Sequence, residues 1–358
     1  MKYNKNTFFY LEDGKIVACH SLSQDYYELD LEHFKRLIEK SKDLPSQASK
    51  EQIDQDLSSG GLLTDNLDDQ LLAWEGDPIS FYCHQGTRIY AQNSPILNED
   101  SFCEEFIKVS SAVREIPPKS IPDYVQQIKL PDPDLTPFRK SSFYDVIQKR
   151  KTSRNFDRVS LNLKELSSLL YLCFGPIHGT VWEDFEKHHI PSLGLRRSSP
   201  SATGLQGCDA YLVILNASDI EQGIYYYASD AHTLYQLKNR FDDESLVYAL
   251  GDQFWAKNLS AGLFIVNDMK RTWIKDKKAR GYLATYLEAG HLSQTILLAA
   301  TALGLHTWIT GSFRDDVVDK MLQLKNSPNF ASFFIGLGFG NNGSIPEKFI
   351  ETIASKTR

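Results

Sequence analysis

The stretch YLEAGHLSQTILLAATALGLHTWITGSF, Tyr286–Phe313, decides how the second half of this chain is read. Its apolar pattern extends back to Gly281 and forward to Leu305, long enough for one helix, and Gly304 marks the stop before a short strand. Glu288, His291 and Gln294 recur inside it at helical spacing. Such residues are costly in lipid but ordinary at a protein interface, so Gly281–Leu305 is a core helix rather than a membrane span. A long apolar helix with interior polar residues also needs a partner surface, which points to a homodimer. His291 alone reads as a hydrogen-bonded core histidine and takes no acid–base role. Gly311, beyond the strand, lets a ligand approach the backbone closely.

Working outward, RRSSPSATGLQGCDAYLVIL (Arg196–Leu215) runs a Ser, Pro, Thr and Gly loop directly into a strand. Such a loop presents hydroxyls and backbone N–H groups together, either to cradle a polar cofactor edge or as a plain turn. Further upstream, QKRKTSRNFD (Gln148–Asp157) leads from a helix end into Arg150, Thr152 and Arg154. Two rigid guanidinium forks and a hydroxyl suit a phosphate, although a basic helix end is also favoured by the macrodipole. Helical stretches near 142–150, 163–173, 246–259 and 281–304 frame strand-like runs DAYLVILNA, GIYYYA, AGLFIVND and ASFFIGLGFG, which gives a mixed α+β domain. Gly338, Gly340 and Gly343 spell GxGxxG, but too few residues follow for the remaining βαβ unit, so they read as a strand end and turn.

Ahead of this domain, residues 1 to about 115 alternate short strands and helices. FFYLEDGKIVACH is strand-like, and LDLEHFKRLIEKSK places Leu31, Phe34, Leu37 and Ile38 on one helical face. Ser49 is positioned to cap a helix ended by Gly60-Gly61, NLDDQLLAWEGDP gives a further short helix, and ISFYCHQGTRIYA reads as a strand turning at Gly86. That pattern suits a small winged-helix-like unit. Pro117, Pro118, Pro122, Pro131, Pro133 and Pro137 then make residues 116–140 a stiff extended linker. The expected division is 1–115, 116–140 and 141–358.

With 42% hydrophobic and 24% charged residues over 358 positions, the chain has an ordinary globular composition. A formal charge of −7 lacks the basic excess of a nucleic-acid binder. Cys19, Cys83, Cys103, Cys173 and Cys208 form no CxxC pair or disulfide framework, and no signal peptide, membrane span or metal motif is read, so a soluble cytoplasmic protein is expected.

In this order and spacing, RKTSRNF, RRSSPSATGLQ and LEAGHLSQTILLAATALGL resemble the flavin motifs and long dimer helix of the nitroreductase superfamily. The closer resemblance is to its SagB-type branch of azole-forming dehydrogenases, over about Ser141 to Gly343. Trp74 followed by FYCHQGTR is similar to the segment ending the winged-helix-like peptide-binding region that precedes some members. The resemblance implies a nitroreductase-like α+β fold with a long central dimer helix, and FMN as cofactor. It places Arg150, Thr152 and Arg154 on the FMN phosphate and ring, with Ser199, Ser201, Thr203 and Gln206 along the flavin. Gly311 would donate its N–H to flavin N5, and two chains would share the flavin sites.

The implied reaction is oxidation of a peptide thiazoline or oxazoline to its azole in a modified precursor peptide, alone or with a cyclodehydratase complex. One departure stands out. The branch carries adjacent Lys and Tyr before the long helix to handle the proton, and the matching positions here are Asp276 and Lys277. Lys275, Lys277, Lys278 and Tyr282 are the candidates to replace that pair, against the reading of a surface lysine cluster. Two other functions fit the same motifs. One is NAD(P)H-dependent reduction of an alkene, nitro group or quinone, and the other is a non-catalytic peptide-binding scaffold of a synthetase.

Overall fold

A computed structural model describes the chain apart from residues 22, 43–49, 66–73, 90–96, 113–118, 180–186, 189–195, 342 and 357–358. The chain divides into two compact units, Met1–Ser101 with Lys278–Arg280, and Phe102–Lys277 with Gly281–Arg358.

In the first unit, β1 (Lys2–Tyr3) leads to an antiparallel sheet of β2 (Thr7–Glu12), β3 (Lys15–His20) and β4 (Asp25–Leu29). Helices α1 (Leu31–Ser41) and α2 (Glu51–Ser59) follow, then β5 (Leu63–Thr64), which pairs with β1, and α3 (Pro78–Gly86). Ala18, Leu37, Leu57, Leu62 and Leu63 form its own core. Buried Arg36 ties α1 to α2 through a two-pronged contact with Asp54, at 2.6 and 2.7 Å. Ser49 and most of the helix expected over 66–78 lie outside the described residues. The strand expected over ISFYCHQGTRIYA is instead α3. Its aromatic and β-branched content suggests a strand, but the Asp77 side chain accepts from the Ser80 N–H and Pro78 occupies the first turn, and this local capping nucleates a helix.

Helix α4 (Glu99–Ala112) precedes β6 (Tyr124–Lys129), α5 (Thr136–Lys140), α6 (Phe143–Lys149) and α7 (Leu163–Phe174). Residues 116–140, read above as an extended linker, thus contain a strand and a short helix. Pro122 and Pro131 flank β6 without interrupting it, so its N–H groups stay available to the sheet. Strands β7 (Cys208–Ile214), β8 (Gly223–Ala228) and β9 (Thr233–Leu237) follow, then α8 (Asp243–Ala249) and a 3₁₀ turn at Phe254–Asn258, which split the helix expected over 246–259. After them come β10 (Ala261–Asn267), α9 (Met269–Lys275), the long α10 (Ala279–Ala302), β11 (His306–Thr310), α11 (Asp315–Met321), β12 (Phe330–Gly338) and α12 (Glu347–Lys356).

The strands of the second unit pair antiparallel in the order β11-β12-β10-β7-β8-β9-β6. Both faces are covered, so β7, β8 and β10 are buried along their length instead of alternating between buried and exposed residues. Cys208, Ala210, Leu212 and Ile214 of β7 pack with α7 and α10. Tyr211 and Val213 point the other way, into a second layer with α8 and α11. A mixed α+β architecture is therefore present as expected.

Candidate functional site

The basic motif lies along the edge of this sheet. Arg150 caps the C-terminus of α6, Thr152 bridges in parallel to Thr307 of β11, and the Ser153 N–H donates to the Thr307 carbonyl at 2.8 Å. The segment then binds the exit of β12. The Arg154 N–H donates to the Gly343 carbonyl at 3.0 Å, Ser153 Oγ to the Asn341 carbonyl at 2.8 Å, and Phe156 bridges Gly340. The Arg154 guanidinium donates to the Ser344 carbonyl at 2.7 Å and lies over the Trp255 ring, 5.5 Å from its centroid.

This packing explains the GxGxxG spacing. A Cβ on Gly340 would stand 2.1 Å from the Asn155 carbonyl oxygen, so the glycine permits two backbones to meet and does not cradle a dinucleotide. Gly340→Ala is expected to destabilise the protein by about 1–3 kcal/mol, because a backbone must shift to admit the methyl. Thermal unfolding of parent and variant checks this, and an unchanged midpoint would contradict it.

The loop Ser199–Gln206 is fastened to α10. Ser199 Oγ lies 2.7 Å from Thr295 Oγ1, and Ser201 Oγ donates to Glu288 Oε2 at 2.7 Å while accepting the Gln206 N–H at 3.2 Å. Thr203 Oγ1 accepts the Leu205 N–H. Gln206 adopts a left-handed φ of 54°. Below the loop, Arg197 is fully enclosed and donates to the carbonyls of Phe174 and Cys208 and to Ser229 Oγ. Burial lowers its pKa. Arg271 of α9 donates to the Leu205 carbonyl. Burial, reinforced by the charge of Glu288, pushes the Cys208 thiol well up. Arg271 and Glu288 thus hold the loop directly, while Arg197 ties its two flanks to α7 and β7. Only the polar spacing within an apolar helix marked Glu288 in the sequence.

Within one chain the two donor sets stand apart. Thr307 pairs with Leu337, whereas the loop meets the sheet where Asp268 N–H donates to the Gly207 carbonyl, beside the Asn267–Phe330 pair. Gly207, where the loop joins the sheet, is thus about 20 Å or more along β12 from Thr307, at ~3.3 Å per residue. Gly311 is exposed at the end of β11; its φ is not left-handed, and a Cβ there would meet only ordinary contacts, the nearest being the Ser332 carbonyl at 3.5 Å. The chain's own packing therefore does not require glycine at 311.

The proton-handling candidates are dispersed. Lys275 ends α9, half-buried, with its pKa lowered by that burial. Lys277 and Lys278 are exposed between the helices. Tyr282 is exposed on α10, its hydroxyl 3.2 Å from that of Tyr286, and both rings pack near Phe330. His291 and Gln294 are exposed, while Glu288 is only 7% accessible. Among the described residues, no cluster suited to a metal ion occurs and no helix is long and apolar enough to cross a membrane.

A covered antiparallel sheet with helices packed on both faces defines an α+β fold. The chain belongs to the nitroreductase family, whose model matches residues 147–339. A nitroreductase-like protein of Methanocaldococcus jannaschii is 26% identical over 202 residues, 56% of this chain and 92% of the relative. Among solved structures, a nitroreductase-like protein of Anabaena variabilis aligns with TM-score 0.48 and 21% identity, covering 70% of this chain and 49% of that one, about half its length. The E. coli microcin synthetase McbBCD complex with truncated pro-MccB17 aligns with TM-score 0.46 and 17% identity, covering 77% of this chain and 99% of that one.

Proteins of this family are FMN-dependent, and FMN is the cofactor here. The residues present fit it. Among the described residues, no hydrogen bond or ion pair engages the side chains of Arg150, Thr152 or Gln206, and Gly311 leaves an open backbone edge.

Proposed function

We propose that the chain is an FMN-dependent dehydrogenase of the SagB type that oxidises a thiazoline or oxazoline of a modified precursor peptide to the azole. The observation that carries this reading is a separate folded unit with its own core ahead of the family match at 147–339, an addition that a small-molecule reductase does not need. That unit, winged-helix-like in this reading, takes the leader peptide, by strand addition at a sheet edge. The domain limits proposed are 1–115, 116–140 and 141–358, with the middle segment contributing β6 to the sheet.

FMN, when bound, supplies two-electron hydride chemistry. Arg150, Thr152 and Arg154 would hold its phosphate and ring, Ser199, Ser201, Thr203 and Gln206 would line the flavin, and the Gly311 N–H would face its N5. Loss of a hydride and a proton aromatises the azoline ring, so a side chain must accept the proton. Lys275 is favoured over Lys277, Lys278 and Tyr282, because its half-buried amine is held below the usual lysine range. Mass spectrometry of a cyclised peptide incubated with the protein is expected to show loss of two hydrogens. Gain of two hydrogens with NAD(P)H would establish the reductase reading instead, which Asp276 and Lys277 at the Lys-Tyr positions favour.

The protein works as a homodimer in this proposal. The flavin segments of two chains would together complete each site, and Tyr282, Tyr286 and Leu287 of α10 are exposed at 47%, 39% and 54% for a partner to cover. Sedimentation at micromolar concentration should give a dimer. A monomer with full flavin occupancy would contradict the shared site.

A further inference from the structure

We infer that Glu288 is a positioning residue for FMN binding, holding the Ser201 hydroxyl so that its oxygen meets the cofactor as an acceptor. The inference rests on the reading that Ser199–Gln206 lines the flavin. A serine hydroxyl has one proton and two lone pairs. A carboxylate is acceptor-only when ionised, so the 2.7 Å contact commits the Ser201 proton to Glu288 Oε2. The Gln206 N–H, at 3.2 Å, occupies one lone pair. What half-buried Ser201 still offers a ligand is the second lone pair.

A phosphate has acceptors to satisfy, which an acceptor cannot serve. A ribityl hydroxyl or a ring N–H of FMN can donate to it. The opposite set, Arg150, Thr152 and Arg154, presents guanidinium and hydroxyl donors. At Ser201 the loop therefore meets a ligand as an acceptor, opposite in polarity to the arginine motif, and the carboxylate of Glu288 sets that polarity. A carboxylate is an unusual choice for an apolar helix. It is 7% exposed, its Oε1 makes no hydrogen bond of regular geometry, and the buried Cys208 thiol lies within reach of the carboxylate. The Oε1 atom stands beside Gly207, where a Cβ would be 3.9 Å away. Packing would be served by a methionine of similar length, so the acceptor is what the position retains at a cost in buried polarity.

The test titrates apo protein with FMN by flavin fluorescence, for Ser201→Ala, Glu288→Met and Glu288→Gln, with apo melting temperatures beside each. Glutamine keeps an acceptor for the Ser201 proton and methionine keeps only the shape. Glu288→Met and Ser201→Ala are expected to weaken FMN about fivefold to tenfold, as for loss of one hydrogen bond, with Glu288→Gln within about twofold of the parent. The double variant Ser201→Ala/Glu288→Met should be no weaker than either alone. Parental affinity in both Glu288 variants, or equal loss in both, overturns the inference. Parental affinity in Ser201→Ala instead overturns the assignment of the loop to the flavin.

Discussion

Lys119→Met is expected to lower the stability of the protein by about 3–5 kcal/mol, the cost of stripping one partner from a buried ion pair. The Lys119 amine contacts the Asp209 carboxylate at the start of β7, and each side chain is only 11% exposed. Removing the lysine leaves that carboxylate enclosed and uncompensated. Changing both residues, as Lys119→Met/Asp209→Leu, should recover most of the loss, because two apolar groups of similar shape leave no orphaned charge. Urea unfolding of the two single variants and the double forms the cycle. A single variant within about 1 kcal/mol of the parent, or a double as unstable as the sum of the singles, would show that the pair is not coupled. Since Asp209 adjoins Cys208 and follows the loop proposed to line the flavin, the same variant should also release FMN at lower temperature.

Arg150→Ala is expected to weaken FMN by about 1.5–3 kcal/mol, a charge-assisted contact, or roughly 10–150-fold in Kd. The two arginines of the motif differ in what else they do. Arg154 is engaged with the Ser344 carbonyl and the Trp255 ring, so its loss should reduce thermal stability together with flavin affinity. Arg150 is half-buried at a helix end, with no side-chain partner among the described residues, so its loss should register in flavin binding with an unchanged apo melting temperature. Lysine at 150 should recover only part of the affinity, since it keeps the charge but not the planar fork. Titration of the apo protein decides it. A change of less than about twofold would remove Arg150 from the site.

The long helix, the four strand-like runs and the polar loops were legible because each is announced locally, by period, by caps or by turn residues. What stayed hidden depends on distant partners. Lys119 sits in a proline-rich stretch whose composition suggests an extended connection, and nothing near it in sequence reveals an aspartate 90 positions away. Arg197 looks like one half of a basic pair flanking a loop, yet it is a buried strut for three acceptors. Ser201 and Glu288 are each visible as polar residues, and only the fold shows that they share a proton. The error at α3 was different in kind. A capping aspartate and a first-turn proline were both present in sequence and outweighed a strand-like composition.

The fastening of residues 153–156 to the exit of β12 also sets a clock on biogenesis. Arg154 and Asn155 are anchored by carbonyls at 343–345, which are synthesised long after them. The arginine motif is therefore synthesised some 190 positions before the groups that shape it. If residues 150–154 hold the FMN phosphate as proposed, that end of the site is unfinished until residues 340–345 have been made, and cofactor capture waits for them. Nascent chains stalled before Gly340 should stay colourless in excess FMN, whereas released chains turn yellow.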